Sequence, residues 1–197
     1  YGKGAGEERL AVVLDGHLMA DRLHKIMIDG DFYAMKGILT AWLERSGFKG
    51  ARIEVKPNTA DTVHFHPYRS AELWLDKTML GVFGEIHPEF AAKFDLKHVV
   101  YAEMKMQPVL ETKTGKVRFE AVDRYPSVSR DIALVVSGGV SAKEIQDVIR
   151  KAGGRLVRSL EVFDVYEGEH VQKGMKSVAL SIQYQSSDHT LKEEEVT

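Results

Sequence analysis

The sequence predicts an α+β protein that folds as two successive units. Apolar residues make up 44% and charged residues 28% of the 197 residues, which is the composition of a globular chain. Short apolar or alternating segments, typical of strands, are interspersed with segments of helical spacing. A polar stretch at residues 108–116 separates two differently patterned halves. We therefore expect two domains, 1–107 and 117–197, joined by a linker at 108–116.

The first unit is predicted to consist mainly of strands around one helix. Asp31 suits the N-cap of this helix, and Gly47 suits its C-terminal stop. Between them, Phe32, Met35 and Leu39 recur at helical spacing. A short helix is expected over Glu89–Phe94, and strands at Leu10–Leu14, Ala51–Val55, Ala71–Leu75, Met79–Phe83 and Val99–Met106.

The second unit begins with an alternating strand around Ile132–Val136. Ser141 and Glu144 then form a capping box, in which a hydroxyl and a carboxylate each bond the other residue's backbone amide. Thr190 and Glu193 repeat the same pattern near the end of the sequence, which predicts another helix there.

Two more strands, Leu156–Tyr166 and Val178–Tyr184, lie between these helices. The order strand–helix–strand–strand–helix supplies five of the six elements of a ferredoxin-like βαββα(β) unit. We expect this unit to be truncated before its last strand.

Composition excludes several classes of protein. Cysteine is absent, so disulfides, thiolate metal sites and cysteine nucleophiles are excluded, and a reducing compartment fits. A formal net charge of −2 disfavours a broadly basic nucleic-acid binder. No apolar run is long enough for a transmembrane helix. The first residue is Tyr1 and not methionine, so we expect a segment of a longer chain.

Four residues form the main candidate site. Asp164 and Tyr166 are two apart on a predicted strand and therefore point to one face. If Ala133 and Ser177 share that face, the four residues line three neighbouring strands. From the residues alone, a surface carboxylate beside a half-buried strand tyrosine is the favoured interpretation.

A basic cluster offers phosphate contacts. Four cations fall within nine residues, and two more lie upstream: Arg150, Lys151, Arg155 and Arg158, then Arg124 and Arg130. Arg150 and Lys151 equally suit the C-terminal dipole of the preceding helix. From residue 116 onward, 12 Lys/Arg stand against 13 Asp/Glu, so the domain is not broadly basic.

Three histidines and a glutamate suggest a metal site as an alternative. His64, His66, Glu85 and His87 form H-x-H and E-x-H patterns that could chelate zinc. The favoured interpretation is that these histidines cap turns beside Pro67 and Pro88, and the prediction is that no metal is bound.

Six segments resemble one family. YPSVSRDIALVV, LEVFDVYEG and KGMKSVALSIQYQSSDHTLKEEEV, beginning at residues 125, 160 and 173, resemble the anticodon-binding domain of the bacterial-type phenylalanyl-tRNA synthetase β subunit. DFYAMKGIL, FHPYRSAEL and GVFGEIHPEF, beginning at residues 31, 65 and 81, resemble its catalytic-like module. Tyr68 stands where the family commonly has glycine.

The resemblance implies a partial, inactive class II synthetase-type module followed by the anticodon-binding domain. It implies a cytoplasmic α₂β₂ ligase that joins phenylalanine to tRNA-Phe with ATP and magnesium, with the catalytic site in the α subunit. This chain would carry no catalytic residue and no cofactor of its own. Ala133, Asp164, Tyr166 and Ser177 match the family's pocket for the first anticodon base.

Two other functions remain open at this point. One is a stand-alone metal hydrolase that uses the His64/His66/Glu85/His87 cluster. The other is an amino-acid-sensing regulatory module built on the ferredoxin-like half.

Overall fold

A computed structural model describes residues 6–115 and 124–196. The chain divides into two units, Tyr1–Val117 and Arg118–Thr197. In chain order, unit 1 contains β1 (Arg9–Leu14), β2 (His17–Asp21), β3 (Ile26–Asp29), α1 (Phe32–Arg45), β4 (Ile53–Pro57), β5 (Phe65–Leu75), β6 (Thr78–Ile86), α2 (Pro88–Ala92), β7 (Val100–Lys105) and α3 (Gln107–Glu111). Unit 2 contains β8 (Val128–Ser137), α4 (Ala142–Gly153), β9 (Val157–Tyr166) and β10 (Met175–Tyr184).

Unit 1 is built on a five-stranded antiparallel sheet in the order β1-β7-β6-β5-β4. Helix α1 buries Met35, Leu39 and Leu43, which repeat every four residues and form one apolar stripe. This stripe joins Leu73 and Phe83 of the sheet in one core. The helix therefore gains its stability from packing on the sheet.

Both predicted ends of α1 are confirmed. The Asp31 side chain accepts a hydrogen bond from the Ala34 amide at 2.8 Å, as an N-cap does. The helix ends at Arg45, and Gly47 has a φ of +95°, a conformation that side chains with a Cβ rarely adopt.

A buried carboxylate organises the loop between β4 and β5. Glu72 is 5% exposed and accepts hydrogen bonds from the Thr59 amide and hydroxyl, the Ala60 amide and the Trp74 indole. Burial by itself raises the pKa of Glu72, but these donors outweigh it and hold the pKa below its ordinary value of 4.5. The charged form is therefore the one that the fold stabilises.

The sequence prediction missed the hairpin of β2 and β3. It expected α1 to follow β1 directly, whereas two short antiparallel strands intervene. The turn carries its own chemistry: Asp21 accepts from the Leu23 and His24 amides, and Lys25 adopts a φ of +55°. These strands are too short for alternation to reveal them.

The predicted linker at 108–116 needs correction over its first part. Residues Gln107–Glu111 form helix α3, and Val109 is buried in the core of unit 1. The proline at 108 signals a first helical turn as readily as a loop. Residue 116 lies outside the described residues.

Unit 2 has a three-stranded antiparallel sheet in the order β8-β10-β9. This is the order that three strands of a ferredoxin-like unit adopt, with the third strand between the first two. Helix α4 packs Ile145 against Val178 and Leu180. The capping box is confirmed: the Ser141 hydroxyl accepts from the Glu144 amide, and the Glu144 carboxylate accepts from the Ser141 amide.

The helix predicted from Thr190 is not present. Residues Glu193–Glu195 form one 3₁₀ turn instead, and the Glu195 carboxylate accepts from the Lys192 amide. Lys192, just before the turn, is extended, and Leu191 is buried at 7% exposure. The capping contact therefore joins Lys192 and Glu195 and not Thr190 and Glu193. No helix in the described ranges has the length and apolar character needed to cross a membrane.

Candidate nucleic-acid interface

The two faces of the unit 2 sheet differ in what covers them. On the central strand β10, Val178, Leu180 and Ile182 are buried on the side of α4. The opposite side carries residues of odd number, from Ser177 to Gln183, and they are only half-buried. We call this opposite side the open face, because α4, the one α-helix described in unit 2, packs on the other side.

The strand register brings the four predicted site residues together on the open face. Ser177 lies opposite Tyr166 on one side and Val135 on the other. Ala179 lies opposite Asp164 and Ala133. The four predicted residues thus occupy two neighbouring rows across three strands, about 7 Å apart along the strand.

A β-bulge decides that Asp164 belongs to this face. Leu160 and Val162 lie opposite Ile182 and Leu180, on the side of α4. Regular alternation would place Asp164 on the same side as Val162. The register shifts by one residue after the pair of Val162 and Leu180, so Asp164 lies opposite Ala179 instead. Bulges commonly redirect a side chain next to a binding site.

Among the described residues, the polar groups of these side chains have no hydrogen-bond or ion-pair partner. Asp164 is exposed, and its carboxylate makes no hydrogen bond or ion pair within residues 6–115 and 124–196. The same is true of the Ser177 and Tyr166 hydroxyls, and Tyr166 is 41% exposed. This end of the open face therefore offers a ring face, a carboxylate and a hydroxyl to a ligand.

The far end of the open face is different. The Ser159 hydroxyl donates to the Gln183 side-chain oxygen at 3.1 Å, and the Gln183 amide nitrogen donates to the Ser127 hydroxyl at 2.9 Å. These side chains satisfy one another. The four predicted residues lie towards the other end, and the row of Asp131, Ser181 and Glu161 separates them from these bonded side chains.

The six predicted phosphate-contacting cations do not gather on the open face. Arg130 lies opposite Ile182, hence on the side of α4, and its guanidinium is 3.5 Å from the Glu193 carboxylate. Arg150 and Lys151 lie in the last turn of α4. The remaining three are spread over the segment before β8, a 3₁₀ turn and β9: Arg124, Arg155 and Arg158.

The histidine cluster of unit 1 has structural partners. His66 Nδ1 accepts from the backbone amides of Tyr68 and Arg69, at 3.1 and 3.2 Å. His87 Nδ1 caps α2 by accepting from the Glu89 amide. Glu85 forms ion pairs with Arg69 and His98. In the part of the chain that the structure describes, no three His, Cys, Asp or Glu side chains are placed to hold a metal ion. The metal-hydrolase alternative has no support.

A cavity of about 460 Å³ in unit 1 also holds polar groups that pair with one another. His17 and Asp29 on its wall are joined at 2.6 Å, and Arg69 is paired with Glu85. These four side chains are therefore engaged with one another, whereas the Asp164 carboxylate in unit 2 has no such partner among the described residues.

Two protein-family models match the chain. Residues 3–106 match the model of the phenylalanyl tRNA synthetase beta chain CLM domain. Residues 123–197 match the model of the ferredoxin-fold anticodon binding domain. The chain belongs to the phenylalanyl-tRNA synthetase β-chain family. The family match confirms both the motif resemblance and the ferredoxin-like prediction for unit 2.

Family members with the name phenylalanine–tRNA ligase beta subunit are similar along the chain. Identity is 38% over 175 residues with the Bacillus subtilis protein, 39% over 192 with that of Geobacillus kaustophilus and 32% over 202 with that of Staphylococcus aureus strain MSSA476. These matches cover 85%, 98% and 100% of this chain but 20%, 24% and 25% of the three proteins. The chain therefore spans a fifth to a quarter of the length of these relatives.

Sequence reasoning missed two features of the candidate interface in this family member. One is the bulge beside Asp164, which no residue type in this segment indicates. The other is His170, whose ring lies next to Tyr166. The glycines between β9 and β10 indicated that the chain turns there, but not that the ring of His170 lies beside that of Tyr166.

Proposed function

We propose that this chain is a non-catalytic, tRNA-binding and subunit-scaffolding part of a phenylalanine–tRNA ligase β subunit, and that the open face of unit 2 binds the first anticodon base. The observation that carries this proposal is the pair of rows containing Asp164, Tyr166, Ala133 and Ser177, where unpaired polar groups adjoin a ring on the open face of the sheet. Readers of single-stranded RNA stack unpaired bases on aromatic side chains and hydrogen-bond their Watson–Crick edges.

The chemistry of the carboxylate suits guanine. Phenylalanine tRNAs begin their anticodon with guanine, whose Watson–Crick edge presents the N1–H and N2 amino donors. Asp164 is an acceptor-only group with two oxygens, so it matches these donors. Adenine would present its N1 lone pair to the same carboxylate, which is repulsive.

The other three residues complete the pocket. Tyr166 supplies a stacking face, a contact that contributes about 1–3 kcal/mol per base. Ala133 and Ser177 are small, so a base can lie flat against the strands. The Ser177 hydroxyl adds one hydrogen bond.

The charge of the open face orients the RNA. Asp131, Glu161 and Asp164 all lie on this face, and the residues paired in register across it include no Lys or Arg. Phosphates are therefore repelled, and bases approach the sheet first. The six candidate cations lie away from the two base-binding rows, and we expect them to contact phosphates elsewhere on the tRNA.

The remainder of the enzyme follows from the family. We infer an α₂β₂ assembly in the cytoplasm, in which the α subunit performs ATP- and magnesium-dependent aminoacylation. Unit 1 has no Gly-rich stretch that ends in the arginine of the class II motif and no P-loop, and we infer from the family that it scaffolds this assembly. Phenylalanine-dependent pyrophosphate exchange by this chain alone would contradict that assignment.

The test is Asp164→Asn in the assembled enzyme. Affinity is measured for two anticodon stem-loops of tRNA-Phe, with guanine or adenine at the first position. We expect the guanine RNA to bind about tenfold more weakly, near the low end for a hydrogen bond to a charged group. The adenine RNA should lose less.

Asp147→Asn is the matched control, because this exposed carboxylate lies on α4, on the other side of the sheet. It should leave both affinities unchanged. Equal losses for both RNAs with Asp164→Asn would contradict the proposal and make Asp164 an ordinary surface carboxylate.

A further inference from the structure

The turn between β9 and β10 places a second ring beside Tyr166. The ring centroids of Tyr166 and His170 are 6.5 Å apart, and the ring planes differ by only 19°. Two backbone hydrogen bonds define the turn, from the Val171 amide to the Gly168 carbonyl and from the Met175 amide to the Gln172 carbonyl. These bonds fix the backbone path that carries His170 back to the side of Tyr166.

Gly168 couples the turn to the Tyr166 ring. A Cβ at this position would lie 2.4 Å from the Tyr166 hydroxyl oxygen and 2.6 Å from the carbon that bears it. The backbone of the turn therefore packs directly against the phenol. Tyr166, Gly168 and His170 form one local unit at the end of the open face.

His170 is also unusual in its hydrogen bonding. Seven of the eight histidines use a ring nitrogen in a hydrogen bond, either to a carboxylate or to a backbone amide: His17, His24, His64, His66, His87, His98 and His189. His170 is exposed, its ring lies beside that of Tyr166, and within the described ranges its nitrogens make no hydrogen bond or ion pair. Both nitrogens therefore remain available to a ligand.

We infer that Tyr166 and His170 form a two-ring platform that binds two adjoining unpaired nucleobases. Tyr166 stacks on the base whose edge meets Asp164, and His170 stacks on the base next to it. This inference rests on the proposed function, and it enlarges the ligand from one base to a single-stranded dinucleotide. Because every base has a π face, the His170 position adds affinity without base preference.

The test uses the assembled enzyme and three RNAs. They are the anticodon stem-loop of tRNA-Phe, the same RNA without the first anticodon base, and the same RNA without both bases that adjoin it. The variants are His170→Ala and His170→Phe, with Glu169→Gln as a control in the same turn. The binding constants of these variants and RNAs form a double-mutant cycle, which measures the coupling between the side chain and each base.

His170→Ala should weaken binding of the intact RNA by about fivefold or more, the low end for one base stack, and His170→Phe should stay within about twofold. The loss with His170→Ala should persist when the first base is missing and disappear when its neighbours are missing. Glu169→Gln should have no effect.

Three results would overturn the inference. A loss that disappears with the first base would show that His170 only holds Tyr166 in place. A loss that persists in all three RNAs, or that phenylalanine does not rescue, would indicate a phosphate contact. No loss at all would exclude any role. If Asp164→Asn also leaves the guanine–adenine preference unchanged, the proposed function itself has failed.

Discussion

Gly168→Ala separates the stability of unit 2 from its ability to bind RNA. The added Cβ would lie 2.4 Å from the Tyr166 hydroxyl oxygen, whereas ordinary contacts begin at 3.4 Å. The phenol must therefore move by about 1 Å, the difference between these distances. Tyr166 is 41% exposed at the edge of the sheet, so the ring can move without disturbing the core.

Because the ring can move without disturbing the core, we expect Gly168→Ala to change RNA binding more than the free energy of unfolding. Surface substitutions of this kind change the free energy of unfolding by less than about 0.5 kcal/mol, apart from the entropic gain that any Gly→Ala change brings. Stacking contributes about 1–3 kcal/mol per base, so a displaced ring should weaken binding of the anticodon stem-loop about fivefold. Loss of the ring in Tyr166→Ala sets the maximum effect.

The assay pairs thermal denaturation with binding measurements on the same preparations. Gly139→Ala is the matched control, because a Cβ there meets no atom within 4 Å and the entropic gain is the same. Both variants should melt within a few degrees of the parent, and only Gly168→Ala should bind more weakly. Unchanged RNA affinity in Gly168→Ala would refute the reasoning that the position of Tyr166 matters.

Three further predictions concern the fold. Leu180→Ala should destabilise unit 2 by about 2–5 kcal/mol in urea denaturation, because Leu180 is fully buried. Ser181→Ala on the open face should change the free energy of unfolding little, and similar losses in both variants would mean that the faces are assigned wrongly. Ser141→Ala should cost about 1 kcal/mol in thermal denaturation through loss of the cap on α4, and an unchanged melting temperature would argue against the capping box. Because the pKa of Glu72 is lowered in the folded state, its charged form stabilises the fold fully above pH 4.5, and this stabilisation declines as the pH falls further. Glu72→Gln should therefore be less stable at neutral pH, and its free energy of unfolding should depend less on pH between pH 6 and 3. Parallel pH curves for the variant and the parent in denaturation measurements would contradict this.

Local signals in the sequence predicted those elements whose stability is local or strongly periodic. Helix α1 follows from Asp31, Gly47 and an apolar stripe, and α4 follows from its capping box. Both patterns act within one or two turns of chain, so neighbouring residues are enough to indicate them. The same reasoning failed at Thr190, because the carboxylate contact forms between Glu195 and Lys192 instead.

For the candidate interface, too, the sequence predicted some features and missed others. Residue types alone indicated an acceptor and a ring two positions apart, and the family motifs indicated what they bind. The β2–β3 hairpin and the ring of His170 had no comparable signal, because each depends on contacts that only a folded turn creates.

The sequence by itself determined that Asp164 and Tyr166 share one side of a strand, since two residues of spacing are enough for that. Only the tertiary structure decided which side it is. Regular alternation from Leu160 and Val162 would place Asp164 on the side of α4. The one-residue bulge after Val162 turns both side chains to the open face, because the extra residue reverses the alternation of the strand.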